Sequence, residues 1–140
     1  MSEQAPLKIQ PRMTAVSAPY WEGCANGELR LQRCADCGKH QFYPRVICSH
    51  CSGDVLTWEA VSGKGVIESF TVVRRGISRA YESPYAVALV RLAEGPVMMS
   101  SLVGAEPEQV RVGASVSVEF EDWGDGTHLP VFRLEAGAAI

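Results

Sequence analysis

A mainly β chain (α+β), with one N-terminal helix, a ribbon built on cysteines and a five-stranded barrel, is what the 140 residues predict. Three observations carry that prediction. Four of the five cysteines fall into two Cys-x-x-Cys pairs. A single short helical pattern lies ahead of them. Beyond Gly65 the chain is a succession of short apolar segments separated by turn residues, with no amphipathic helix of useful length between them.

The cysteines are the most specific signal. Cys34-Ala-Asp-Cys37 and Cys48-Ser-His-Cys51 are separated by ten residues, the spacing of two facing knuckles whose sulfurs reach one ion at roughly 2.3 Å. A glycine after each pair lets the backbone turn beneath the sulfurs, and Gly38 and Gly53 are read in that role. Four thiolates satisfy tetrahedral zinc completely and leave no position for substrate or water, so a Zn2+ ion held here is structural. Iron fits the same sulfur tetrahedron, and disulfides or reduced thiols are the other uses of such cysteines. His40 and His50 are read as surface residues, because four cysteines already suffice. Cys24 stands outside the pairs with no placed base, and reads as a small buried side chain.

Composition bounds the rest. With 46% hydrophobic residues, the chain makes either one ordinary domain or a knuckle joined to a small barrel. A formal net charge of -3 argues against a nucleic-acid affinity built on phosphate neutralisation. Positive charge does gather in Arg30, Arg33, Lys39 and Arg45, and again in Arg74, Arg75 and Arg79. Either a small polyanion binds there or these are ordinary solvated side chains. The N-terminus lacks the apolar run of a secretory signal, and no stretch approaches the roughly 20 apolar residues of a membrane span. A cytoplasmic, reducing location and no membrane partner are therefore expected.

Taken in order, residues 1–16 are polar, contain Pro6 and Pro11 and read as an arm that orders only against something else. Ser17 is placed to cap a helix, Pro19 suits its first turn, and Asn26-Gly27 stops it. Residues 27–33 alternate and lead as a strand into the first knuckle; residues 56–61 alternate again on leaving the second. Ser62-Gly63-Lys64-Gly65 reads as a boundary turn. The organisation expected is an arm and helix over 1–30, a zinc ribbon over 31–61 and a barrel over 62–140. Strands are expected at 66–73, 85–92, 97–103, 115–122 and 129–135, with turns at Ser83-Pro84, Glu94-Gly95-Pro96 and residues 122–126. Five short antiparallel strands suggest closure into an oligonucleotide/oligosaccharide-binding (OB) barrel, which hides its edges, with an open sandwich as the competing architecture.

Several phrases then resemble a known family. Tyr20-Trp21-Glu22-Gly23, the run from Gly27 to Cys34, Cys37-Gly38 through Phe42-Tyr43-Pro44-Arg45, Cys48 to Cys51, and Gly63-Lys64-Gly65 are similar to the DUF35 proteins. The resemblance covers nearly the whole chain from Tyr20. It implies an N-terminal helix, a rubredoxin-like zinc ribbon and an OB-fold barrel.

It also implies a role. Such proteins act as accessory subunits of thiolase-like enzymes, or of hydratases and aldolases working on coenzyme A thioesters, with the chemistry on the partner. Hence a hetero-oligomer with an acyl-CoA enzyme is expected, with the thioester as a shared ligand. Coenzyme A wants guanidinium or ammonium groups and a flat apolar surface. Lys39, Phe42, Tyr43 and Arg45 offer both beside the ribbon, and Arg74 and Arg75 lie where such barrels present ligand loops. The plainer use of Phe42 and Tyr43 is to pack ribbon against barrel. A single-stranded nucleic-acid-binding module is the alternative, with Trp58, Phe70, Tyr81, Tyr85 and Trp123 available for stacking. A stand-alone hydrolase or transferase has only Cys24 and scattered histidines in its favour.

Overall fold

The computed structural model describes residues 9–76, 81 and 84–135. Residues 1–8 of the polar arm, Arg79 and Ser83 lie outside the described residues. Helix α1 (Ala18–Ala25) begins with a proline in its first turn and ends by a glycine, as its residues predict. Gly27 is left-handed, and the N–H groups of Gly27 and Glu28 return to the carbonyls of Cys24 and Gly23 (3.2 and 2.8 Å), a Schellman closure that occupies two orphan acceptors. Ser17, expected to cap α1 with its side chain, makes no such bond. Its own N–H instead donates to Thr14 Oγ1 (3.1 Å), and Ala18 N–H returns to the Thr14 carbonyl (2.8 Å). The capping oxygen is thus supplied one turn earlier, by Thr14.

The ribbon is a three-stranded antiparallel sheet. Strand β1 (Arg30–Cys34) lies between β2 (His40–Gln41) and β3 (Leu56–Ala60). Leu29 and Leu31 are buried, as their alternation predicts, but Gln32 is buried beside them. Its amide clamps the backbone of Arg45, donating to the carbonyl and accepting the N–H, both at 2.8 Å. Gln41 donates to Gln32 (2.7 Å) and accepts the Ser49 N–H (2.7 Å). Two side-chain amides therefore supply the backbone partners that the irregular stretch between the knuckles lacks.

The second half closes into a barrel. Strands β4 (Lys64–Val73), β5 (Tyr85–Leu92), β6 (Val97–Val103), β7 (Ser115–Gly124) and β8 (Thr127–Leu134) follow the order β4-β5-β6-β8-β7. The open sandwich is excluded by the pairing of β4 with β7 at Lys64↔Ser117, Gly65↔Val116 and Val66↔Ser115. All ladders are antiparallel except β6 with β8, which meet in parallel over two pairs, Leu102↔Phe132 and Val103↔Arg133. Ile67, Val90, Leu92, Met98, Val116 and Phe132 fill the interior. Tyr20, Cys24, Leu29 and Leu31 belong to the same buried cluster, so helix, ribbon and barrel share one core.

Several element ends differ from the sequence reading. β4 starts at Lys64, shortening the boundary turn, and a 3₁₀ turn at Pro107–Gln109, not foreseen, precedes β7. The expected loop over 122–126 contracts to Asp125-Gly126, both left-handed, which is the geometry of a tight hairpin turn and carries Trp123 into β7. The arm is tied down where it is described: Ile9 N–H donates to the Tyr81 hydroxyl (3.0 Å) and Gln10 Nε2 to the Trp123 carbonyl (2.7 Å). No helix among the described residues is long and apolar enough to cross a membrane.

Candidate metal centre and an adjoining aromatic cleft

The knuckles form as two tight turns: Gly38 N–H reaches the Cys34 carbonyl (2.9 Å) and Ser52 N–H the Cys48 carbonyl (3.0 Å). They bring the sulfurs of Cys34, Cys37, Cys48 and Cys51 within 4.8 Å of one another, arranged to bind a metal. Cys34 Sγ lies 3.6 Å from Cys51 Sγ, and Cys37 Sγ 3.7 Å from Cys48 Sγ. Ligands at roughly 2.3 Å around a tetrahedral zinc stand about 3.8 Å apart, so the spacing fits the ion. It does not fit disulfides, whose sulfurs are roughly 2.05 Å apart.

The cage is electrostatically unbalanced without a cation. Burial raises the Cys48 thiol, but N–H donation from His50 and Cys51, with help from the neighbouring sulfurs, more than reverses this and lowers it to about 6. Cys51 moves the other way: the Gly53 N–H favours its thiolate, yet crowding by Cys34, Cys37 and Cys48 outweighs that donation. Four sulfurs this close cannot all ionise unless a cation neutralises them.

One of the two supporting glycines acts differently from the sequence reading. Gly38 does adopt the left-handed turn, but in the second knuckle Ser52 is left-handed (φ 67) and Gly53 is not. Gly53 is required for space: a Cβ there would stand 2.5 Å from Asp36 Oδ2 and 3.3 Å from Cys34 Sγ. Gly53→Ala should displace only the Asp36 carboxylate and cost on the order of 1 kcal/mol. Gly53→Val should press on the sulfur and release zinc to a colorimetric chelator several-fold faster than wild type, a rate read by stopped flow. Equal rates would show that the sulfur has room.

His40, read as a surface residue, is largely enclosed. Its Nε2 pairs with Glu59 (2.9 Å), and Arg33 joins the same carboxylate (3.3 Å). These two partners hold Glu59 below the usual carboxylate range. His50 is exposed and touches the His40 carbonyl (3.2 Å). Cys24 is 1% exposed, and burial pushes its thiol up to about 11, which suits packing.

Beside the ribbon lies a cleft of about 730 Å3, which the sequence reading missed. Tyr20 and Trp21 of α1 and Phe42 of the ribbon form one wall. Tyr81, Tyr85 and Trp123 of the barrel line it as well. Phe42 lies 5.4 Å from the Tyr20 ring, and Tyr81 lies 6.2 Å from Trp123. The sequence reading offered Tyr85 and Trp123 only as possible stacking surfaces; it could not show that β6 and β8 pair over two residues alone, beside which the space lies.

Comparison with known proteins now places the chain. Residues 21–57 match the family described as "ChsH2, rubredoxin-like zinc ribbon domain", and residues 58–121 match "ChsH2, C-terminal OB-fold domain". A DUF35 domain-containing scaffold protein of Methanocaldococcus jannaschii is 34% identical over 101 residues, 67% of this chain and 71% of that protein. This chain belongs to the DUF35 family. It is also 33% identical over 136 residues to a probable enoyl-CoA hydratase alpha subunit of Thermomonospora curvata, covering 94% of this chain but 42% of that protein. The chain thus spans about two fifths of the length of that relative. The solved structure described as "Ltp2-ChsH2(DUF35) aldolase" superposes with a TM-score of 0.82 and 31% identity, over 89% of this chain and 98% of that one.

Within this DUF35 chain the residues read as coenzyme A contacts are dispersed. Lys39 and Arg45 are exposed beside the knuckles, and neither side chain has a partner among the described residues. Tyr43 is 52% exposed, while Phe42 is half-buried between Tyr20 and Tyr43 and packs ribbon to helix. Arg74 and Arg75 are exposed after β4. No hydrogen bond, ion pair or ring contact among the described residues joins them to the ribbon group.

Proposed function

We propose that this chain is a non-catalytic accessory subunit of an acyl-CoA-processing enzyme, a thiolase-like protein, hydratase or aldolase, in a hetero-oligomer. Cys34, Cys37, Cys48 and Cys51 hold one structural zinc ion, which fixes the ribbon. Lys39, Tyr43 and Arg45, with Phe42 behind them and Arg74 and Arg75 on the barrel, meet the phosphates and adenine of the thioester while the partner supplies the chemistry. The observation that carries this reading is the likeness over 98% of the DUF35 chain in the aldolase structure. Relatives described as scaffold proteins support the non-catalytic part. The exposed charges of Lys39 and Arg45, without a partner among the described residues, suit phosphate contact.

Co-expression with an acyl-CoA enzyme encoded beside this chain, followed by size-exclusion chromatography, is the direct test. The two should elute together, and the enzyme should lose most of its activity when produced alone. Separate elution with full activity of the enzyme alone would refute the reading. In the complex, Arg45→Glu should raise the KM for the thioester about tenfold, with zinc content and elution volume unchanged. An unchanged KM would remove Arg45 from the coenzyme site.

A further inference from the structure

The aromatic cleft has the chemistry of a separate ligand site. It lies beside the parallel pairing of β6 with β8, which is confined to Leu102↔Phe132 and Val103↔Arg133. Nearer the start of β6 the hydrogen bond between the two strands, among the described residues, comes from a side chain, Ser100 Oγ donating to the Pro130 carbonyl (2.8 Å). The cleft's volume of about 730 Å3 lies within the usual range of small-molecule sites, roughly 300–1,000 Å3.

Its lining selects against charge. Among the described residues the walls hold one carboxylate, Glu121, and no lysine, arginine or histidine. Several polar groups of the walls are already engaged within the protein. The Tyr81 hydroxyl accepts the Ile9 N–H (3.0 Å), and Trp123 Nε1 donates to Glu121 (2.8 Å). Burial raises the Tyr20 phenol further above its ordinary value, so that wall is uncharged at neutral pH. The rest of the lining is mainly aromatic rings and apolar side chains such as Val87, Met99 and Leu129, with the Ser101 hydroxyl among them. Rings and thioethers offer polarisable contacts to flat apolar groups. An anion would lose its hydration here among rings and aliphatic side chains.

We propose that this cleft binds an uncharged, apolar, ring-bearing small molecule or molecular group, and that it excludes anions such as the phosphates of a coenzyme. The site belongs to the isolated chain. Only its extension, that the group is the acyl end of the shared thioester, rests on the proposed function. The cations at Lys39 and Arg45 and the neutral cleft would then serve opposite ends of one ligand.

The test uses the full zinc-loaded chain without partner or coenzyme, so its result is independent of the assembly experiment. Titration with the neutral fluorophore N-phenyl-1-naphthylamine should show one saturable site. Its emission should rise while tryptophan emission falls, because Trp21 and Trp123 stand in the walls. Unlabelled 2-naphthol should displace the dye, and naphthalene-2-sulfonate, the same ring bearing an anion, should need at least tenfold more. Ser101→Trp, which fills the cleft, should weaken dye binding at least tenfold. Ser101→Leu serves if that variant does not fold, and Arg45→Glu should leave the dye affinity unchanged. Non-saturable dye uptake, equal competition by the sulfonate, or unchanged affinity in a folded cleft-filling variant would each overturn the proposal.

Discussion

Cys37→Ser should strip the ribbon of its metal and cost several kcal/mol, the largest effect expected of any single change to this chain. Structural zinc contributes roughly 10–16 kcal/mol of apparent binding free energy in small ribbons at neutral pH, and much of that is folding free energy. Here the stretch from Ala35 to Val55 includes only the two-residue strand His40–Gln41. The sulfurs and the two buried amides, Gln32 and Gln41, hold it in place. Elemental analysis should find about one zinc per wild-type chain and far less in the variant. Limited proteolysis should then cut between residues 35 and 55 while the barrel resists, because Leu29 and Leu31 remain anchored in the shared core. Acid should mimic the substitution, since each ligand must shed a proton to bind and falling pH returns it. Neither zinc nor iron in protein purified without added metal would sink the metal assignment.

Phe132→Ala should destabilise the whole molecule by about 3–5 kcal/mol, a large share of a typical domain's 5–15 kcal/mol. Phe132 is 0% exposed and sits where β8 meets β6 and β7, opposite Leu102 and Val118. Removing its ring leaves a cavity at the one parallel junction of the barrel, where only two residue pairs hold the strands. The urea midpoint should fall with an unchanged slope, reporting lost stability without a change in the surface exposed. Because α1, the ribbon and the barrel share one buried cluster, zinc release to a chelator should also accelerate. A shift below about 1 kcal/mol would mean that the core collapses around the missing ring more readily than its packing implies.

The two experiments separate what holds each part. In the ribbon one ion replaces the apolar burial that so short a segment cannot supply. In the barrel the same task falls to side chains from all five strands. A variant that empties the cage and one that empties the core should therefore differ in which peptide bonds become accessible, even where their total costs are similar.

The sequence by itself determined whatever depends on local spacing. Two residues between paired cysteines can form only a short loop, so the knuckles at Cys34–Cys37 and Cys48–Cys51 were legible as a sulfur cage. The apolar runs Tyr85–Leu92 and Val97–Val103, bounded by Ser83-Pro84 and Glu94-Gly95-Pro96, marked those strands to the residue, because turn residues interrupt the ladder where a strand must end. Tertiary structure decided what depends on neighbours far along the chain. Gln32 occupies a polar position of the alternating segment 27–33 and Gln41 drew no reading, yet both are buried because the loop between the knuckles brings them backbone groups to satisfy. Gly53 looked like a turn residue, but the space it yields to Asp36 and Cys34 exists only after both knuckles have met. The cleft is the clearest case. Tyr20, Phe42, Tyr81 and Trp123 come from helix, ribbon and two parts of the barrel, and no sequence period links them. They come together beside β6 and β8, which pair over two residues alone, a choice made by barrel closure rather than by any local preference.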